Sequence, residues 1–186
     1  MNTTKESTLK TEFRTQTSFR NPKVLAEMAI FTALATALST IVVYVLPQGG
    51  SITLASMVPI IWLALRRGPK VGIVAGVIYG LIQFMMLPYA IDPIQVLLDY
   101  PLAFGVLGFA GFFPTRPILG AAVGITGRFI MSFISGVVYW APLYAPNVDP
   151  LIYSSAYNGS YLLPELVISG IILYLLQKSN VLRVYM

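Results

Sequence analysis

Apolar residues run in six long stretches along the chain, at about 24–46, 52–65, 71–87, 94–113, 117–141 and 155–177. The breaks between them are Pro47-Gln48-Gly49-Gly50, Arg66-Arg67-Gly68-Pro69-Lys70, Pro88 to Pro93, Pro114-Thr115-Arg116-Pro117 and Pro142 to Pro150. Proline and glycine in such clusters punctuate helices. A helix that crosses a bilayer needs about 20 apolar residues, with a range of roughly 17–25. The pattern therefore predicts an all-α bundle of six transmembrane helices. The second stretch is short and the third is borderline, so one of them is expected to tilt or to cross only part of the way. The domain layout that follows is a polar tail at 1–22, a membrane domain at 23–178 and a short second tail at 179–186. Residues 1–22 have no short apolar stretch followed by a small-residue cleavage site, so they do not read as a signal peptide.

Charge gives the predicted helices a direction. Eleven of the twelve Lys and Arg residues fall in the N-terminal tail, the 66–70 loop, the 114–117 loop and the C-terminal end. The loops at 47–51, 88–93 and 142–150 carry none. By the positive-inside rule both termini are cytoplasmic, and Asp92 and Asp149 face outward. The twelfth base, Arg128, lies inside the fifth stretch. Outside the tail no basic surface is left that could bind nucleic acid.

Composition narrows the chemistry. Hydrophobic residues make up 56% of the 186, and charged residues only 10%, against about 25% in a soluble domain. The mean hydropathy is +0.77. Lipid is the solvent this chain is built for. With no cysteine and no histidine, thiolate metal sites, disulfides, cysteine nucleophiles and imidazole proton shuttles are excluded. No phosphate-cradling Gly-x-x-x-x-Gly-Lys-Ser/Thr motif and no metal-ligand spacing is present. The chain reads as a binding protein, without a cofactor, a metal or a catalytic group. Asn158-Gly159-Ser160 matches a glycosylation pattern but opens a predicted helix, so it is taken as a chance match.

Small residues recur at helical spacing. Gly72, Gly76 and Gly80 repeat in the third stretch, Gly105, Gly108 and Gly111 in the fourth, and Gly120 and Gly124 in the fifth. Such rows let helices pack closely in lipid. Ala26, Ala29, Ala33 and Ala37 form a stripe on the first stretch. Spacing alone leaves open whether it packs inside the bundle or docks a partner helix.

Charges inside a membrane mark functional sites by default. Asp99, Arg128 and Glu165 are the three that fall there. An internal Arg128–Glu165 ion pair that sets helix register is one account of two of them. On the fifth stretch Arg128, Ser132, Gly136 and Trp140 share a face at four-residue steps. The sixth opens with Tyr153, Tyr157, Asn158 and Tyr161, and Asn158 shares a face with Glu165. An interfacial aromatic belt accounts for Trp140, Tyr144 and Tyr153, but not for Asp99 or Asn158. Together these groups suit a small, cationic, aromatic ligand. The carboxylate meets its charge, the aromatic rings stack and give cation–π attraction, and the amide of Asn158 gives directional hydrogen bonds.

The segments Glu27-Met-Ala-Ile-Phe-Thr-Ala33, Leu65-Arg-Arg-Gly68, Leu98-Asp-Tyr-Pro101, Ser135-Gly-Val-Val-Tyr-Trp140 and Tyr153-Ser-Ser-Ala-Tyr-Asn158-Gly, in that order, resemble the thiamine-specific substrate-binding components (S-components, ThiT type) of energy-coupling factor (ECF) transporters. The resemblance spans about residues 24–177. It implies a six-helix bundle in a prokaryotic plasma membrane that binds thiamine near its outer face. Its implied partners are a transmembrane coupling protein and two ATPase subunits, which drive uptake. It also implies ligand contacts at Asp99, Tyr100, Ser132, Gly136, Trp140, Tyr153 and Asn158. The implied docking motif falls on Ala29 and Ala33, with Ala37 continuing the same stripe. Two positions depart from the family pattern: Asp99 stands where glutamate can occur, and Ser132 where histidine is often found. A thiamine precursor or another vitamin is the nearest alternative ligand. A self-contained ion-coupled carrier or membrane-embedded enzyme, with Asp99, Arg128 and Glu165 as a proton relay, is the alternative from another class.

Overall fold

The computed structural model describes residues 19–179, so most of the two predicted tails lies outside the described residues. Six helical rods follow one another: α1 Pro22–Ser39, α2 Val58–Arg67, α3 Pro69–Met86, α4 Pro93–Phe112, α5 Pro117–Tyr144 and α6 Pro150–Lys178. Between α1 and α2 the chain forms an antiparallel hairpin of β1 Val42–Val45 and β2 Ser51–Thr53. Three helices open on a cap-plus-proline pair, Asn21-Pro22, Asp92-Pro93 and Asp149-Pro150. In each the cap side chain accepts hydrogen bonds from the first turn, which is where a proline lacking N–H costs nothing.

The first two stretches depart from the sequence expectation. Residues 24–46 are not one helix. α1 stops at Ser39, and the β-branched run Ile41-Val42-Val43 leads into a strand. Branching at Cβ restricts side chains in a helix and suits a pleated strand. The hairpin turn places Gln48 at φ 63° and Gly49 at φ 88°, in left-handed geometry. Among the described residues, five helices are long and apolar enough to cross a membrane, and α2 is not one of them. At 1.5 Å per residue its ten residues span about 15 Å, half of a roughly 30 Å hydrocarbon core. Every residue from Val58 to Leu65 is buried. A helix that is apolar all round belongs in the middle of a bundle, and α2 packs there against α1, α3, α4 and α5.

The glycine row on α3 works as its spacing predicts. A Cβ at Gly76 would run into the Phe104 carbonyl, and one at Gly80 into the Tyr100 carbonyl. Backbone contact therefore sets how closely α3 and α4 approach. Near the end of the bundle away from the Arg66–Lys70 turn, α4 and α5 each loosen into a π-turn, at Leu98–Leu102 and Gly136–Trp140. Pro101 and Pro142 lie within or just beyond these turns and cannot donate the usual helical hydrogen bond. Asp99 and Trp140 sit in the widened turns.

One ion-pair cluster ties α1 to α2. Glu27 receives Arg67 through Nε at 2.6 Å and Nη2 at 2.7 Å, and Arg66 at 3.1 Å. Glu27 thus joins the basic turn, a pairing that sequence spacing did not reveal.

Candidate ligand-binding site

The hairpin turn, the Leu87–Tyr89 loop and the neighbouring turns of α3–α6 enclose a cavity of about 120 Å³. A single water needs only about 10–15 Å³ on such a measure, so the space suits a small organic molecule. All seven ligand-contact residues named from the sequence, Asp99, Tyr100, Ser132, Gly136, Trp140, Tyr153 and Asn158, line it.

Asp99 anchors one wall. Its Oδ2 accepts from Trp140 Nε1 at 2.8 Å and from Gln95 Nε2 at 2.7 Å. Trp140 stacks on Tyr144 with centroids 5.8 Å apart and meets Tyr89 edge-on at 6.4 Å. A carboxylate beside an indole and a phenol ring is a site for an organic cation. Tyr100 turns its hydroxyl outward to the α3–α4 loop. It donates to the Leu87 carbonyl at 2.6 Å and accepts from the Tyr89 N–H at 3.1 Å.

The opposite wall belongs to α5 and α6. A Cβ at Gly136 would press on Ser154 and Asn158, so bare backbone is what lets α6 come close there. The Asn158 amide is engaged more fully than the sequence suggested. Its Nδ2 donates to the Ser132 carbonyl at 3.2 Å, to the Ser154 carbonyl at 3.0 Å and to Ser154 Oγ at 3.1 Å. Its Oδ1 accepts from the Tyr161 hydroxyl at 2.9 Å. An amide oxygen has two lone pairs, so Asn158 offers a ligand an acceptor and no donor. Tyr153 stacks on Tyr157 at 5.9 Å, and its buried hydroxyl has no protein partner. Unpaired buried hydroxyls are costly, and Tyr153 is one of the residues that line the cavity.

The hairpin closes the cavity. The Tyr157 hydroxyl donates to the Pro47 carbonyl and accepts from the Gly50 N–H at 2.9 Å. Glu165 Oε1 holds the hairpin's other end, accepting from the Thr53 N–H at 2.5 Å and Thr53 Oγ1 at 2.6 Å. Glu165 therefore makes no ion pair with Arg128. The Arg128 guanidinium lies 4.1 Å from the Phe104 ring centroid, and its Nη1 donates to Met57 Sδ at 3.0 Å. In place of the expected register-setting pair, Thr53 holds Glu165 Oε1, while Glu165 Oε2 and Arg128 Nε are buried without a hydrogen-bond partner. No direct hydrogen bond links Asp99, Arg128 and Glu165 to one another.

Sequence reasoning missed Tyr89, Gln83, Phe104 and the hairpin residues Gln48 to Ser51 as cavity groups, and Gln95 as the buried partner of Asp99. The signal for Gln95 was its place one turn before Asp99. The hairpin residues gave none, because 47–51 read as a plain loop between two helices.

A family model described as "Thiamine transporter protein (Thia_YuaJ)" matches residues 25–184. The chain belongs to this family. It is a multi-pass membrane protein of the ThiT type of S-component. The thiamine transporter ThiT of Bacillus subtilis is 34% identical over 171 residues, with 82% of this chain and 88% of the relative covered. The thiamine transporter ThiT of Lacticaseibacillus paracasei is 26% identical over 173 residues, covering 80% and 84%. A solved structure of ThiT from Listeria monocytogenes superposes with a TM-score of 0.78 at 27% identity, covering 87% of this chain and 96% of that one. Family membership makes this a transport protein, and its cavity the place to look for the cargo.

Proposed function

We propose that the chain is the high-affinity thiamine-binding subunit of an ECF-type ABC uptake transporter in a prokaryotic plasma membrane. Thiamine enters from the outer face, and both termini lie in the cytoplasm. The observation that carries this reading is the Asp99 carboxylate, held by Trp140 and Gln95 in an aromatic wall. Thiamine's thiazolium ring is a permanent cation, and its aminopyrimidine brings a donor. The carboxylate and the Trp140 ring suit the first, and the Asn158 acceptor and the Tyr153 hydroxyl suit the second. Formal charge supports the same choice. Asp99, Arg128 and Glu165 sum to −1, and a monocation brings the membrane-embedded set to neutrality, where uncompensated charge is expensive. A thiamine precursor or analogue is the second reading. It is favoured by the small Ser132 side chain, which supplies no ring for stacking.

No nucleotide motif is present in the chain, so energy for uphill uptake is proposed to come from two partner ATPases through a transmembrane coupling protein. The docking surface is proposed on α1, where Ala29, Ala33 and Ala37 are all exposed. On the same helix Glu27 pairs with Arg66 and Arg67 and pins α1 to α2. Mass spectrometry of the ligand carried by the purified protein tests the cargo. Thiamine is expected, and another vitamin in its place would overturn that assignment. Uptake by proteoliposomes is expected only when the coupling protein and ATPases are included. Uptake by this chain alone would overturn the partnership.

A further inference from the structure

Gln95 lies one helical turn before Asp99 on α4, so the two side chains share a face. It is wholly buried, at 0% exposure, and its amide makes three hydrogen bonds. Nε2 donates to Asp99 Oδ2 at 2.7 Å and to the Tyr89 carbonyl at 3.1 Å, while Oε1 accepts from the Ile91 N–H at 3.0 Å. The reversed amide would set its oxygen against two acceptors and its NH₂ against an N–H donor, so the network admits one orientation. On one side Gln95 therefore grips the carboxylate. On the other it grips the loop whose Tyr89 ring faces Trp140 and lies against Gly49 of the hairpin turn.

We infer that Gln95 is a positioning residue for cation recognition. It holds the Asp99 carboxylate against the Trp140 N–H and ties it to the Tyr89–Ile91 wall of the cavity. The inference rests on the reading that Asp99 meets the positive charge of the ligand. Without the Gln95 donor, Oδ2 keeps only the indole N–H. Rotation about the terminal carboxylate torsion is soft, so the charge is no longer held where the cation sits.

The test uses the full-length protein in detergent, titrated by tryptophan fluorescence with thiamine and with an uncharged thiophene analogue of thiamine. Gln95→Met is expected to weaken thiamine binding by about tenfold or more, the scale of a hydrogen bond to a charged group, and to weaken the analogue by less than about threefold. In an Asp99→Asn background the same substitution is expected to cost thiamine less than about threefold, because residues that act through one another are not additive. Equal losses for both ligands, or multiplying losses in the double variant, would overturn the positioning role. Gln95→Leu covers the case in which Gln95→Met does not fold. It supplies no donor to Asp99, and a wild-type preference for thiamine over the analogue would overturn the inference. Asp99→Asn read alone separates the two claims. Unchanged thiamine affinity there sinks the carboxylate's role itself, whereas a large loss there with a harmless Gln95→Met sinks only the positioning role.

Discussion

At the scale of single residues, the informative groups are those whose hydrogen bonds do not close within the protein. The Tyr153 hydroxyl is buried without a partner, whereas Asn158 is nearly saturated. The two residues looked alike in the sequence, as polar groups opening a helix. Only the α5–α6 approach separates them, by turning the Asn158 NH₂ toward the carbonyls of Ser132 and Ser154. The difference is measurable. Tyr153→Phe removes an unpaired hydroxyl, so the ligand-free protein is expected to melt at the same temperature or higher. Thiamine affinity is expected to fall by about 2- to 13-fold, the range for one neutral hydrogen bond. Lower thermal stability of the empty protein with unchanged affinity would show that the hydroxyl serves the fold. Asp99 and Trp140 were legible because a carboxylate in an apolar stretch stands out. Gln95 was not, because an amide one turn earlier carries no charge to notice.

At the scale of elements, the prolines and glycines marked the breaks between stretches, while the caps Asn21, Asp92 and Asp149 that open three of the helices emerge only from the structure. Hydropathy failed only between residues 40 and 57. It reads how apolar the side chains are, which a strand and a helix can share, so the strands of the hairpin were absorbed into two apolar stretches. That hairpin is pinned at its turn by Tyr157 and at its base by Glu165. Tyr157→Phe deletes both bonds at the turn and leaves the base held. Stopped-flow release of thiamine is expected to speed up by about tenfold, with a smaller change in association, since contact losses appear mainly in off-rates. An unchanged off-rate would mean that the turn does not retain the ligand. The alanine stripe of α1 has its own expected outcome. Replacing Ala29 and Ala33 together by leucine should abolish ATP-driven uptake in the reconstituted complex, because close helix contact needs small side chains. Thiamine binding by the isolated subunit should stay within about twofold, since surface changes away from a site have little effect. Surviving uptake would place the docking surface elsewhere.

At the scale of the whole molecule, five long helices among the described residues pack around a buried half-length helix, and the space it leaves toward the hairpin end is where polar and aromatic side chains gather. The membrane class was legible from 10% charged residues. The shortness of α2 was legible from its stretch of 14 apolar residues, but its place in the middle of the bundle was not, because that length fits either a short span or a core helix. The proposed function makes charge recognition the central claim: the Asp99 carboxylate in the cavity wall is proposed to meet one positive charge on the ligand. Calorimetric titration of thiamine into purified wild-type and Asp99→Asn proteins tests it most directly. The account predicts one tight site in the wild type and an affinity at least about 30-fold weaker in the variant, the lower end for leaving a buried charge unpaired. Equal affinity in the two proteins would contradict it.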